Sequence, residues 1–254
     1  MNAQTKDFRV DSTLSKGLKI MEALAKSRKG FGVTELSREL GLTKSNTFRL
    51  LQTLTTLGYV SHGEDKTYSA TLRMWQVGRS TVDNLNLREF AAEEMCYLNR
   101  ETEETIYLAV RDGLNVIYID KHESPKPISA WSPIGGSAPL HTVGTGKAIL
   151  AANYDEIRPK MFEPMSKHTE QTLTTLADLD KDVEATLARG YAIDVGGFRD
   201  RAISFGAPIM VGDEAVGAIG ISLPDVNLKE GSEDRLGAMV QHAAASVTRK
   251  LNLV

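Results

Sequence analysis

Residues 33–58 read VTELSRELGLTKSNTFRLLQTLTTLG. Val33, Leu36 and Leu40 recur at helical spacing until Gly41 breaks the pattern. Thr43 is placed to cap a second helix, on which Leu50, Leu51, Leu54 and Leu57 gather on one face at ~100° per residue. The opposite face carries Ser45, Arg49, Gln52 and Thr56, and Gly58 stops the helix. Two short helices joined by a tight turn, the second polar on its outer side, form the pattern of a helix-turn-helix that enters a DNA groove.

The flanks complete the module. Leu14, Leu18, Met21 and Ala25 predict an amphipathic helix over residues 12–27, with Ser12 as its cap. Residues 59–61 and 67–69 predict two short strands around His62-Gly63-Glu64-Asp65-Lys66. Three helices and a hairpin make a winged helix-turn-helix, expected over residues 10–71. Residues 72–103 read as largely helical and hold no proline, with Gly78 as a joint. Residues 72–86 are expected to act as a linker helix. Leu85, Leu87, Phe90, Met95 and Leu98 form an apolar face farther along, able to pair with a second copy.

From Thr105 the period changes. Strands are predicted over 105–111 and 116–121, around the hairpin signal Asp112-Gly113-Leu114-Asn115. Further strands are expected over 128–132, 191–195, 203–210 and 215–223, with Gly212-Asp213 turning between the last two. Helices are expected over 146–152, 179–189 and 232–251. Antiparallel strands with flanking helices predict an α+β domain over residues 87–254.

Charge divides along the same line. Residues 1–75 carry 12 Lys/Arg against 7 Asp/Glu, and the remainder 18 against 26. A basic front on an acidic body fits polyanion binding at the front. No apolar run reaches the ~18 residues a membrane span needs, and the first residues lack an apolar signal core, so a cytoplasmic protein is expected. Cys96 is the single cysteine, which excludes an internal disulfide and a multi-cysteine metal site. Beside Met95 and Leu98 it reads as a small buried hydrophobe.

Enzymatic signals fail on inspection. Gly144-Thr145-Gly146-Lys147 lacks the glycine that a phosphate loop needs at His141 and the hydroxyl it needs at Ala148. His141 has no second histidine at zinc-site spacing and reads as a structural residue. Ser204 lies outside any nucleophile elbow. No catalytic residue, metal site or cofactor is expected.

Three ordered stretches resemble the IclR family of transcriptional regulators: LSRELGLTKSNTFRLLQTLTTLGYV, PLHTVGTGKAILA (139–151) and RGYAIDVGGFRDRAISFGAPIMVGDEAVGAIGISLP (189–224). The resemblance covers nearly the whole chain. It implies a winged helix, a linker helix and a GAF-like effector-binding domain with a mostly antiparallel sheet, assembled as homodimers or homotetramers. It places DNA contacts at Ser45, Asn46 and Arg49, with Lys44 on a phosphate. Effector contacts fall on Thr145, Gly146, Asp194, Ser204, Gly220 and Ser222.

The chain also departs from the family. Many relatives have cysteine at the Ser204 position, an acidic pair after the Asp194 position, and in some cases serine at the Gly220 position. Here Val195, Gly196 and Gly197 follow Asp194. Fewer polar anchors imply a ligand other than a small keto acid, and Trp131 near a pocket mouth would favour an aromatic or bulkier acid. The expected function is that of a ligand-responsive repressor of a catabolic operon on palindromic DNA. The alternative is an enzyme acting on a small organic acid, with the winged helix used only for assembly.

Overall fold

The computed structural model describes residues 11–27, 29–83, 86–130 and 132–253. They fall into two compact units, Met1–Asn84 and Leu85–Val254.

The first unit holds α1 (Ser12–Lys26), α2 (Val33–Glu39), α3 (Lys44–Thr56), a two-stranded antiparallel wing of β1 (Val60–His62) and β2 (Tyr68–Ala70), and α4 (Arg73–Asp83). Its core joins Ile20 and Leu24 of α1, Leu36 of α2, Leu50, Leu51 and Leu54 of α3, Val60 and Tyr68. Each fully buried leucine contributes roughly 1.5–3 kcal/mol of transfer free energy. The core selects a different face of α1 from the one expected: Ile20 and Leu24 are buried, while Leu14 and Leu18 are exposed. The cap also differs, since the Asp11 carboxylate, not Ser12, accepts the Leu14 N–H at 2.8 Å. Leu57 is the C-cap of α3 and lies outside the leucine face, exposed. Gly78 is no joint, because α4 runs through it; the helical stretch ends at Asp83.

The second unit begins with α5 (Leu87–Thr102), which buries Leu87, Ala91, Met95 and Leu98. Cys96 on this helix is exposed, which corrects the reading of it as buried. It lies next to Met95 in sequence, and one residue is ~100° around a helix, so the neighbour's burial does not transfer. The sheet is six-stranded, in the order β5-β4-β3-β8-β7-β6, and every pairing is antiparallel. Its strands are β3 (Thr105–Asp112), β4 (Asn115–His122), β5 (Ser137–Pro139), β6 (Ala192–Val195), β7 (Ala202–Val211) and β8 (Glu214–Pro224). The strand expected over 128–132 is absent among the described residues there. Residues 128–130 are irregular, and the edge of the sheet is β5 instead.

One sheet face packs on α5 and α9 (Glu233–Leu251); the other packs on α6 (Gly144–Ala152), which in turn rests on α8 (Leu176–Arg189). A four-residue helix, α7 (Tyr154–Ile157), follows α6. The α6 side builds a core from Tyr107, Val116, Tyr118, Leu140, Ile149, Leu150, Leu179 and Val183, among others. Gly144 through Ala151 are all buried, so α6 is a central helix wrapped on every side. Among the described residues no helix is long and apolar enough to cross a membrane.

Candidate functional site

In the first unit the candidate surface is the start of α3. The Thr43 hydroxyl accepts the Asn46 N–H at 3.3 Å, which fixes the first turn. Thr47 turns inward, its hydroxyl donating to the Thr43 carbonyl at 3.1 Å. That rotation leaves Lys44, Ser45 and Arg49 exposed and Asn46 half-buried. The four form a polar, doubly cationic patch on one helix end, able to meet phosphates and base edges. Phe48 shares the exposed side with them, which the leucine pattern alone did not signal. The wing is not basic at its tip. Asp65 there accepts hydrogen bonds from Thr67, and these hold its carboxyl below the usual range.

In the second unit a cavity of about 360 Å³ opens between the sheet and the segments flanking β6 and β8. Tyr107, Tyr118, Val143 and Phe198 give it apolar walls; Asp194, Ser204 and Ser222 supply polar groups. A recess of about 30 Å³, lined by Thr145, Ser204, Gly220 and Ser222, shares Ser204, Ser222 and both tyrosines with this cavity. The sheet register explains the convergence: Ser204 pairs with both Asp194 and Ser222, so three neighbouring strands present one residue each. Five of the six expected positions thus line these two adjoining spaces. Gly146 lines neither. A Cβ there would lie 2.5 Å from the Leu140 carbonyl oxygen, so this glycine lets α6 sit close under the preceding turn.

Two of the polar groups are already engaged by neighbouring backbone and by a lysine. The Gly144 N–H at the start of α6 donates to the Ser204 hydroxyl at 2.9 Å. The Asp194 carboxylate accepts the Gly197 N–H at 3.0 Å and lies 3.3 Å from the Lys147 ammonium. Burial pushes the Asp194 carboxyl up to about 6, against the pull of Lys147. Lys147, also buried, donates to Asp182 at 3.2 Å and to the Ile193 carbonyl at 3.3 Å. The lysine of the rejected phosphate-loop signal therefore has a structural place: it pairs with two carboxylates inside the domain. His141 is likewise structural, its Nε2–H donating to the Ser166 carbonyl at 3.1 Å, with burial holding its pKa down. Gly220 faces the Phe205 carbonyl and the Thr145 methyl, at 2.6 and 2.7 Å from where a Cβ would sit. A serine at this position would have to displace Thr145.

Several wall residues escaped the sequence reading. Tyr107 and Tyr118 lie with ring centroids 4.5 Å apart on β3 and β4. The Tyr107 hydroxyl accepts the Ser132 N–H at 2.6 Å, and burial raises both phenol pKa values. Arg201 and Asp225 face each other at the mouth, 3.0 Å apart. Two aromatics on facing hairpin strands were a usable signal; the mouth pair, 24 residues apart, was not. Trp131 lies outside the described residues. Among the described residues no group of three or more His, Cys, Asp or Glu is placed to hold a metal ion.

This architecture is shared. Residues 79–249 match the family described as bacterial transcriptional regulator IclR, C-terminal, and residues 13–63 match the IclR helix-turn-helix domain. The chain belongs to the IclR family. Among IclR-family relatives, the HTH-type transcriptional regulator KdgR of Escherichia coli K12 is 30% identical over 247 residues, 94% of this chain and 92% of its own length. The transcriptional repressor IclR of the same strain is 32% identical over 247 residues, 93% of this chain and 88% of its own. An IclR homologue from Microbacterium hydrocarbonoxydans, solved in complex with 4-hydroxybenzoate, shares the fold. Its TM-score is 0.82 at 20% identity, covering 96% of this chain and 100% of that one. As an IclR-family member the chain is a transcriptional regulator with a helix-turn-helix domain and an effector-binding domain.

Proposed function

We propose that this regulator represses a catabolic operon. It binds a palindromic operator through Lys44, Ser45, Asn46 and Arg49, and releases it when a small organic acid or aromatic metabolite occupies the cavity. The carrying observation is the exposed polar start of α3, set on a helix whose other face is locked by Leu50, Leu51 and Leu54. Repression is supported by the naming of the E. coli relative as a repressor. The apolar, tyrosine-walled cavity supports an aromatic or bulky acid, with Thr145, Asp194, Ser204, Gly220 and Ser222 shaping its polar end and Gly146 holding α6 in place. A fit to 4-hydroxybenzoate-like acids is also supported by the homologue solved with that compound.

In this reading residues 10–71 form the DNA-binding domain, 72–86 the linker and 87–254 the effector domain. The protein works in the cytoplasm as a homodimer or homotetramer, without catalysis. Two half-sites lie one helical turn, ~34 Å, or a multiple apart. The effector acts only through a difference in affinity between the DNA-competent and released arrangements. Footprinting of the neighbouring promoter, with and without a panel of hydroxybenzoates and aliphatic acids, tests the proposal. Protection lost on adding one of these acids is expected. Protection absent throughout refutes DNA binding here, and protection insensitive to every acid, with no thermal stabilisation by any, refutes the effector class.

A further inference from the structure

Phe48 is 50% exposed on a helix whose other apolar residues are buried. It is not among the side chains that build the core of its unit or pack against that core. The other exposed residues of α3 are polar or charged: Lys44, Ser45, Arg49, Gln52, Thr53 and Thr56. At 3.6 residues per turn, Ser45 lies one turn before Phe48 on the same flank, and Gln52 one turn after. A large aromatic ring left in water on a cationic, hydrogen-bonding surface gains nothing for the folded monomer. It gains if the surface it meets offers an apolar group among donors and acceptors. The major groove offers one such group, the C5-methyl of thymine.

We infer that Phe48 is a specificity residue whose ring packs on a thymine methyl, while the polar residues around it meet base edges and phosphates. The inference rests on the proposed reading of α3 as the DNA-contacting helix. It adds a hydrophobic reading position to that face and predicts a thymine in each half-site. Burying one methyl against the ring corresponds to about a three- to fivefold gain in affinity per half-site, and on the order of tenfold for a two-half-site duplex.

The test uses the full-length protein and a random duplex pool. Wild type and Phe48→Ala each select their preferred sequences. The wild-type duplex is then titrated with deoxyuridine replacing each thymine in turn, which removes the methyl and nothing else. The expected result is a thymine per half-site whose replacement weakens wild type three- to fivefold and leaves Phe48→Ala unaffected. Phe48→Leu should retain most of the preference, and circular dichroism should show both variants folded.

If no thymine replacement weakens wild type, or if Phe48→Ala suffers the same loss, the inference is overturned. If Phe48→Ala instead changes the sedimentation of the free protein, the ring serves self-association and the inference is also overturned. Failure of the wild type to enrich any sequence would sink the DNA-contact reading itself, and this inference with it. That outcome is distinguishable from the others because it precedes any substitution.

Discussion

The two candidate sites are built in opposite ways. The α3 surface is local: Lys44, Ser45, Asn46 and Arg49 lie within two turns of one helix, three of them exposed and Asn46 half-buried. The cavity is dispersed: its polar residues come from α6, β6, β7 and β8, and Asp194 and Ser204 are held by backbone N–H groups and by Lys147. The first site stands by on a preformed helix and carries no buried charge. The second depends on a desolvated carboxylate held by a desolvated lysine. A change at the first should therefore alter binding and spare folding, whereas a change at the second should alter folding as well.

The sharpest way to break that contrast is Lys147→Met. It leaves Asp194 buried without its cation, and losing one member of such a pair costs roughly 3–5 kcal/mol. Calorimetry should show the effector-domain transition falling and the winged-helix transition unmoved. An unchanged effector-domain transition would mean that the pair adds no stability.

A second probe is pH. With the Asp194 carboxyl raised to about 6 in the folded state, that state binds the proton more tightly than the unfolded chain does. Its contribution is complete below the unfolded value near 4 and is lost as pH rises through about 6, up to roughly 3 kcal/mol across the window. Urea titrations at pH 4.5 and 7 should show a slope of that sign for wild type, and a flatter one for Asp194→Asn. A slope of opposite sign would mean that Lys147 outweighs burial.

The exposed site is expected to behave otherwise. Arg49→Ala should weaken operator binding by roughly 1–3 kcal/mol in a gel-shift titration and leave the melting curve within error. Unfolding of this variant would mean that the helix surface is not independent of the core. The smallest effect belongs to Thr43→Ala. Loss of the cap to the Asn46 N–H should destabilise the winged helix by about 1 kcal/mol, with little effect on the effector domain.

The same contrast explains what the sequence made legible. The helix-turn-helix is written in consecutive residues, so the periodicity of Leu50, Leu51 and Leu54 sufficed to orient α3. Periodicity misled where two faces of a helix are both apolar. On α1, Leu14 and Leu18 match the pattern as well as Ile20 and Leu24 do, and only packing against α3 and the wing chooses between them. The cavity was legible only through likeness, at five strand and helix positions: Thr145, Asp194, Ser204, Gly220 and Ser222. Tyr107, Tyr118 and the Arg201–Asp225 pair come together by strand register and loop closure, which no local spacing encodes. Lys147 carried a faint signal: a lysine inside the apolar run of α6 must find acids, and Asp182 and Asp194 were the ones within reach.

At the cavity mouth the backbone and a surface ion pair meet in one residue pair. Arg201 adopts a left-handed backbone conformation, φ 61°, which presents its carbonyl to the Asp225 N–H at 2.8 Å while its guanidinium meets the Asp225 carboxylate. The start of β7 and the end of β8 are thus joined at the rim by one main-chain and one ionic link. The Arg201 side chain is in solvent and the Asp225 carboxylate partly so, with its Oδ1 buried; an ion pair this exposed is weak and screened by salt. Of the two links only the ionic one is loosened by salt; the main-chain bond lies directly beyond the Ala202–Pro224 pair of β7 and β8, so what salt frees is the Arg201 side chain at the rim. Raising ionic strength should then quicken both capture and escape of an uncharged analogue, leaving its equilibrium occupancy nearly constant.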